Sequence, residues 1–129
     1  EDWDHGTGVV DSMACNPPEV PAHVHLHKGW FKDTVPEWRK TNTKPISFLH
    51  MDADIYSSTR EVLFEINSQI RPGTIIVFDE FTNFRLSCEM SDVREHGFKA
   101  LVEWIEGCSR VVQPLNRNWA YQATCVVVS

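Results

Sequence analysis

Two segments, PISFLHMDAD at residues 45–54 and TIIVFDE at residues 74–80, indicate the architecture of the chain more clearly than any others. Each is an apolar run of strand length that stops abruptly at two acidic positions. Continuous apolar runs of this kind are typical of parallel strands that are covered on both faces. We therefore predict two buried strands, at residues 46–51 and 74–78.

The residues between these strands predict a helix. Ser57, Ser58 or Thr59 is a suitable N-cap, and Arg71-Pro72-Gly73 is a sequence that ends helices. Between these signals the apolar residues recur at helical spacing, at Val62, Leu63, Ile66 and Ile70.

The rest of the chain continues this alternation. Glycine and proline residues mark residues 1–22 as an irregular lead-in. The other predicted elements are a strand at 23–28, a helix at 32–40, a helix at 92–106 that Gly107 ends, and two closing strands at 109–114 and 119–128, joined by a turn at 116–118. This order predicts an α/β fold, specifically a partial Rossmann-like, doubly wound sheet that is mostly parallel with a C-terminal antiparallel hairpin.

Composition limits the possible functions. The chain has 129 residues and a net charge of −6, so its field repels phosphate backbones and argues against nucleic acid as a partner. No apolar run approaches the ~20 residues that span a bilayer, so no membrane partner is expected. The four cysteines are scattered without a metal-binding spacing, which indicates reduced thiols and a cytoplasmic protein.

The acids that follow the two strands form the candidate site. In open α/β sheets, ligands bind beyond the carboxyl ends of the strands, where Asp52, Asp54, Asp79 and Glu80 all fall. Carboxylates gathered in this way suit Mg²⁺, Ca²⁺ or Mn²⁺ better than zinc. One such acid alone would more often be a solvated helix cap, but four together favour a functional site.

Four segments carry a resemblance to a known family. The segments are GWFKDTVP at 29–36, LHMDADIYSST at 49–59, RPGTIIVFDEF at 71–81 and EHGFKA at 95–100. They are similar, in the same order, to segments of the macrocin O-methyltransferase-like family of class I, S-adenosylmethionine-dependent methyltransferases. The last segment departs from the family pattern, because Gly97 stands where relatives usually carry an acid.

The resemblance implies a specific site. It implies that Asp52, Asp79 and Glu80 hold a divalent metal, usually Mg²⁺, and that Asp54 is the general base toward a hydroxyl of a small-molecule acceptor. Such a metal and base would together prepare the hydroxyl oxygen to accept a methyl group. The residues that match the segment near the adenine of S-adenosylmethionine are Gly29, Trp30 and Phe31.

The chain also lacks part of what the resemblance requires. No first strand with a glycine-rich cofactor turn is present, since Gly6-Thr7-Gly8 neither follows a strand nor precedes a helix. We therefore expect residues 23–129 to correspond to the C-terminal half of a methyltransferase domain, truncated or partial. The unpaired strand edge that results predicts a homodimer, possibly formed by exchange of the 23–28 strand.

Two alternatives stay open at this stage. The chain could be a non-catalytic module of methyltransferase ancestry that dimerises and binds a divalent metal. The other alternative is a transition-metal site on the predicted 23–28 strand, where alternation would place His23, His25 and His27 on one face.

Overall fold

The computed structural model of the chain describes residues 17–53, 55–79, 81, 97–117 and 123–129. Three helices lie in these ranges: α1 (Phe31–Thr41), α2 (Tyr56–Glu65) and α3 (Gly97–Gly107). The same ranges contain four strands: β1 (Ile46–Met51), β2 (Ile70–Phe78), β3 (Val112–Arg117) and β4 (Ala123–Val127).

The strands form one mixed sheet in the order β1-β2-β4-β3. Strands β1 and β2 are parallel, whereas β2 pairs with β4, and β4 with β3, in antiparallel orientation. The α/β class and the C-terminal antiparallel hairpin are therefore confirmed. The prediction of a mostly parallel sheet is wrong for the described residues, because only one of the three strand pairs is parallel.

The predicted strand at residues 23–28 is not formed. This segment has no regular secondary structure, and the backbone N–H of Val24 instead closes a turn by donating to the carbonyl of Pro21 at 2.8 Å. An alternating sequence forms a strand only where a neighbouring strand pairs with its backbone. No described strand pairs with this segment, and all of its residues are exposed.

The boundary between α2 and β2 differs from the prediction. The helix ends at Glu65, and Ile70, which the helical pattern included, begins β2 and pairs with Ile46. The next register pair is Phe48 with Ile75, so residues 71–74 bulge out of the ladder. Gly73 lies in this bulge with a φ of 94°, a conformation that favours glycine.

Thr74 fixes the bulge to the sheet. Its buried hydroxyl donates to the carbonyl of Ile46 at 2.6 Å and accepts the backbone N–H of Arg71 at 3.0 Å. The sequence Arg71-Pro72-Gly73 therefore marks an irregularity within a strand, where we predicted the end of a helix.

The core lies between the helices and one face of the sheet. Helices α2 and α3 contribute Leu63 and Trp104, both fully buried, and the sheet contributes alternate residues of its strands. The sheet residues in this cluster include Met51, Ile76, Phe78, Cys125 and Val127. The doubly wound arrangement needs helices on the other face as well and stays a prediction.

The opposite face of the sheet is more accessible. Phe48, which alternates with the core-facing Leu49, is 59% exposed. Its partner Ile75 and the next residue across the sheet, Val126, are only partly buried.

Among the described residues, no helix is both long and apolar enough to cross a membrane.

Candidate functional site

The carboxyl ends of β1 and β2 lie side by side. The last residues of these strands, Met51 and Phe78, are register partners, and the backbone N–H of Asp79 donates to the carbonyl of Met51 at 2.9 Å. Adjacent strands are about 4.8 Å apart. Asp52, which is exposed, and Asp79, which is half-buried, therefore leave the sheet at neighbouring positions.

The structure thus brings together two of the four acids that the sequence singled out. Asp54 and Glu80 lie outside the described residues, although their chain neighbours Ala53, Ile55 and Asp79 are within them. Within the described ranges no group of three potential metal ligands occurs. The assignment of Asp52, Asp79 and Glu80 as ligands and of Asp54 as base accordingly stays a prediction.

The loop that carries the first acidic pair is fixed from within α2. The hydroxyl of Thr59 donates to the carbonyl of Ala53 at 3.0 Å, and the backbone N–H of Thr59 donates to the carbonyl of Ile55 at 3.2 Å. The sequence indicated Thr59 only as a possible N-cap. The structure instead has Ile55 at the N-cap, without a side-chain capping bond.

Aromatic side chains line the same edge beyond β2. The ring centroid of Phe81 lies 4.7 Å from that of Phe78 and 5.7 Å from that of Phe98, at the start of α3. These distances are within the range of favourable aromatic pairs. The edge therefore combines an acidic loop with an apolar wall.

The predicted cofactor segment lies at the beginning of α1. Only residues 42–45 connect α1 to β1, and Arg39 near the end of α1 pairs with Glu65 at the end of α2 at 2.8 Å, so α1 ends near the amino end of β1. Trp30 is 77% exposed, and Phe31 is exposed as well. Gly29 has a φ of 145°, and a Cβ there would lie 2.9 Å from Cγ2 of Thr34, so glycine is required for this turn.

The histidine alternative loses its geometric basis. It required a strand to align His23, His25 and His27, and these residues lie in an irregular, exposed segment. In the part of the chain that the structure describes, no cluster of potential metal ligands includes them.

Helices α2 and α3 are joined by a polar network that the sequence did not predict. The phenol of Tyr56 donates to the carboxylate of Glu103 at 2.6 Å, and the guanidinium of Arg60 lies 3.4 Å from the same carboxylate. The hydrogen bond to Glu103 is the main reason that the pKa of Tyr56 lies above its usual value, followed by desolvation. Tyr56 and Glu103 are 47 positions apart, so no local pattern could have indicated their contact.

This network borders a shallow surface depression. The depression has a volume of about 380 Å³ and is lined by acidic, basic and hydroxyl side chains from the two helices. Its residues are Tyr56, Ser57, Arg60, Glu61 and Glu103. Because Tyr56 begins α2, directly after the acidic loop, the depression lies beside the candidate site.

Two solved structures with a similar fold are of a methyltransferase. The chain aligns with the crystal structure of the calicheamicin methyltransferase CalS11 at a TM-score of 0.56 and 22% identity, covering 77% of this chain and 35% of that one. It also aligns with the apo structure of CalS11, described as a TDP-rhamnose 3'-O-methyltransferase of calicheamicin biosynthesis. That alignment has a TM-score of 0.56 and 23% identity and covers 78% of this chain and 40% of the other. The fold is therefore shared with this class of α/β enzyme.

The sequence comparisons narrow the class to a family. Residues 20–110 match the model of the macrocin O-methyltransferase (TylF) family, and the chain belongs to this family. A curated relative from Streptomyces olivaceus is 32% identical over 58 residues, which are 45% of this chain and 21% of the relative. It is named 8-demethyl-8-(2,3-dimethoxy-alpha-L-rhamnosyl)-tetracenomycin-C 4'-O-methyltransferase. The chain thus spans well under half the length of each of these relatives.

Proposed function

We propose that this chain forms the metal-binding and acceptor-facing part of an S-adenosylmethionine-dependent, Mg²⁺-assisted O-methyltransferase. The observation that carries this proposal is the adjacency of Asp52 and Asp79 at the ends of paired parallel strands. Family membership supports methyl transfer to oxygen as the reaction. The names of two relatives specify rhamnose or rhamnosyl compounds, which favours a hydroxyl of a small sugar-like molecule as the acceptor.

The described residues fit a magnesium ion in their donor chemistry. Asp52 and Asp79 supply hard carboxylate oxygens, and neither residue is buried. With Glu80 they would hold the ion. When bound, the ion would lower the pKa of the acceptor hydroxyl, while the cofactor would supply an electrophilic methyl group.

The residues of the chain have separate tasks in this proposal. The carboxylate of Asp54 would accept the proton of the acceptor hydroxyl, and S-adenosylmethionine would supply the methyl group and leave as S-adenosylhomocysteine. Trp30 offers an accessible aromatic face on which an adenine ring can stack. Phe81, which packs against Phe78, provides the apolar side of the edge.

Calorimetric titration tests this proposal on the chain itself. Mg²⁺ is titrated first, and S-adenosylmethionine is then titrated with and without Mg²⁺. We expect saturable Mg²⁺ binding that Asp52→Asn or Asp79→Asn weakens by about tenfold or more, because each removes a charged ligand. The matched control is Glu106→Gln, which removes an exposed acid from the last turn of α3 and should leave binding unchanged.

The outcomes of these titrations separate the possible functions. Binding of S-adenosylmethionine that strengthens with Mg²⁺ would support the proposal and justify a screen of sugar-like acceptors. If neither ligand binds at millimolar concentration, the alternative of a non-catalytic module of methyltransferase ancestry would be preferred for this chain.

We also propose that the chain forms a homodimer through the outer edge of β1. In the described part of the sheet β1 is an edge strand, and its sequence ISFLHM contains neither proline nor lysine, the residues that usually protect such edges. Light scattering should show a dimer that Ser47→Lys converts to a monomer. The control is Gln113→Lys on β3, the opposite edge of the sheet. A monomeric wild-type chain would contradict this proposal.

The proposed location is the cytoplasm. Cys108 and Cys125 are both free thiols, which is the state expected in a reducing compartment.

A further inference from the structure

We infer that Thr59 is a positioning residue for the acidic loop at residues 52–54, an inference that rests on the proposed metal site. Thr59 is 1% exposed, and its hydroxyl donates to the carbonyl of Ala53 at 3.0 Å. Ala53 directly follows Asp52, so this bond restrains the backbone next to a proposed metal ligand.

The side chain of Thr59 supplies this contact with the loop. Its backbone N–H donates to the carbonyl of Ile55, but this is the ordinary bond to the residue four positions earlier that begins α2 at its N-cap. The hydroxyl bond to Ala53 is the one that depends on a threonine at this position. The beginning of the loop is fixed separately, by the bond from Asp79 to Met51.

This bond is not the usual local bond of a helical threonine. Threonine hydroxyls within helices commonly bond to the carbonyl three or four residues earlier in the same helix. Here the separation is six residues, and the acceptor lies outside the helix. The geometry therefore joins the second turn of α2 to the loop.

The surroundings of Thr59 keep this bond away from water. A Cβ on Gly97 would lie 3.7 Å from Oγ1 of Thr59 and 3.9 Å from the ring of Phe81, so the start of α3 and Phe81, which follows β2, both lie near this point. A buried hydrogen bond is not readily replaced by a bond to solvent. Loss of the hydroxyl would leave the Ala53 carbonyl without this partner and release the loop.

The test compares Thr59→Val, which keeps the shape but removes the hydroxyl, with Thr59→Ser, which keeps the hydroxyl. Binding of Mg²⁺ is measured by calorimetry. We expect Thr59→Val to weaken binding by about 10- to 100-fold, the usual effect of removing a group that orients metal ligands. Thr59→Ser should restore most of the affinity, which a purely steric role would not predict.

Thr41→Val is the matched control. Its hydroxyl also donates to a backbone carbonyl, that of Trp38 at 3.3 Å, but it lies at the end of α1, away from the acidic loop. This variant should bind Mg²⁺ like the wild type. Equal affinity of the wild type and Thr59→Val would overturn the inference while leaving the proposed metal site intact.

A second measurement separates the failure of this inference from failure of the proposed function. Backbone relaxation by NMR reports the mobility of Ala53 and Ile55 without any ligand. We expect higher mobility at these amides in Thr59→Val than in the wild type. If the wild type binds no Mg²⁺, the metal site fails, and this measurement alone decides the role of Thr59: unchanged mobility would refute it.

Discussion

Trp104 joins helix α3 to the turn that follows helix α2. Its side chain is fully buried, and its indole N–H donates to Oδ1 of Asn67 at 3.0 Å. The guanidinium of Arg110 donates to the same oxygen and to the carbonyl of Asn67. Asn67 lies in the turn between α2 and β2, so this cluster ties α3 to the start of the second strand.

Replacing Trp104 should therefore cost stability. Trp104→Phe removes part of a fully buried ring system and one hydrogen bond, and we expect the free energy of unfolding to fall by about 2–4 kcal/mol. Urea denaturation followed by circular dichroism measures the change. Trp30→Phe, at a site that is 77% exposed, should change it by less than about 0.5 kcal/mol. Similar losses for the two variants would contradict the described core.

Cys125 should be less reactive than Cys108. Burial raises the pKa of the Cys125 thiol, whereas Cys108 is only partly buried. Because the thiolate is the reactive form, iodoacetamide at pH 8 should modify Cys108 first, and peptide mass spectrometry can follow both sites. Faster labelling at Cys125 would show that β4 is more open than described.

The raised pKa of Cys125 also predicts that the stability of the protein declines at alkaline pH. The pKa of Cys125 is higher in the native state than in the unfolded chain, so its contribution is complete below about pH 8.5 and declines as pH rises through the native pKa. Urea denaturation at pH 8 and pH 10 should show a larger loss for the wild type than for Cys125→Ala.

At the scale of elements, the beginning of α1 depends on a single glycine. Gly29→Ala would place a methyl group 2.9 Å from Thr34 and force an unfavourable φ, so we expect a loss of about 1–2 kcal/mol in the stability of the first turn. Hydrogen exchange at the amides of Asp33 and Thr34, which both bond to the carbonyl of Trp30, reports this change.

Gly97→Ala is the control for this substitution. It begins α3, and a methyl group there would meet its nearest neighbour at an ordinary 3.7 Å. It should leave stability unchanged or raise it by up to about 1 kcal/mol, because alanine favours helices. Equal effects at the two glycines would show that the conformation of Gly29 is not required.

The sequence predicted correctly those strands that are determined by their own pattern of apolar residues. The apolar run at 46–51 became β1 with the expected bounds, and the run at 74–78 lies within β2. The prediction at 23–28 failed because a strand needs a partner, and partners are set by the whole sheet. Ile70 was misassigned since its apolar side chain suits a helix face and a buried strand equally.

The candidate site was predictable to a similar extent. Asp52 and Asp79 could be identified because chain order places both at the same edge of a parallel pair. The bond from Thr59 to Ala53 and the contact between Tyr56 and Glu103 could not, because both depend on how α2 is oriented by its packing. The sequence therefore indicated the acidic residues, whereas the contacts that α2 makes around them depend on tertiary packing.

At the scale of the whole molecule, the two faces of the sheet are unequal. The described helices cover one face, and Phe48 lies largely exposed on the other. Exposed apolar surface of this kind promotes association. We expect Phe48→Ser to reduce concentration-dependent association, measured by sedimentation velocity, with little loss of stability. Val111→Ser, at another exposed apolar position, is the control.

The bulge at residues 71–74 gives the chain a place where its length is free to vary. The ladder closes on one side of it at Ile46 and Ile70 and on the other at Phe48 and Ile75, and Thr74 secures the junction. Lengthening the segment between these two register pairs should cost little stability, because the entropy of closing a loop grows slowly with its length. A peptide epitope or a fluorophore-binding tag inserted after Pro72 would thus project into solvent as an appendage, and the strand register on which the acidic edge depends would be preserved.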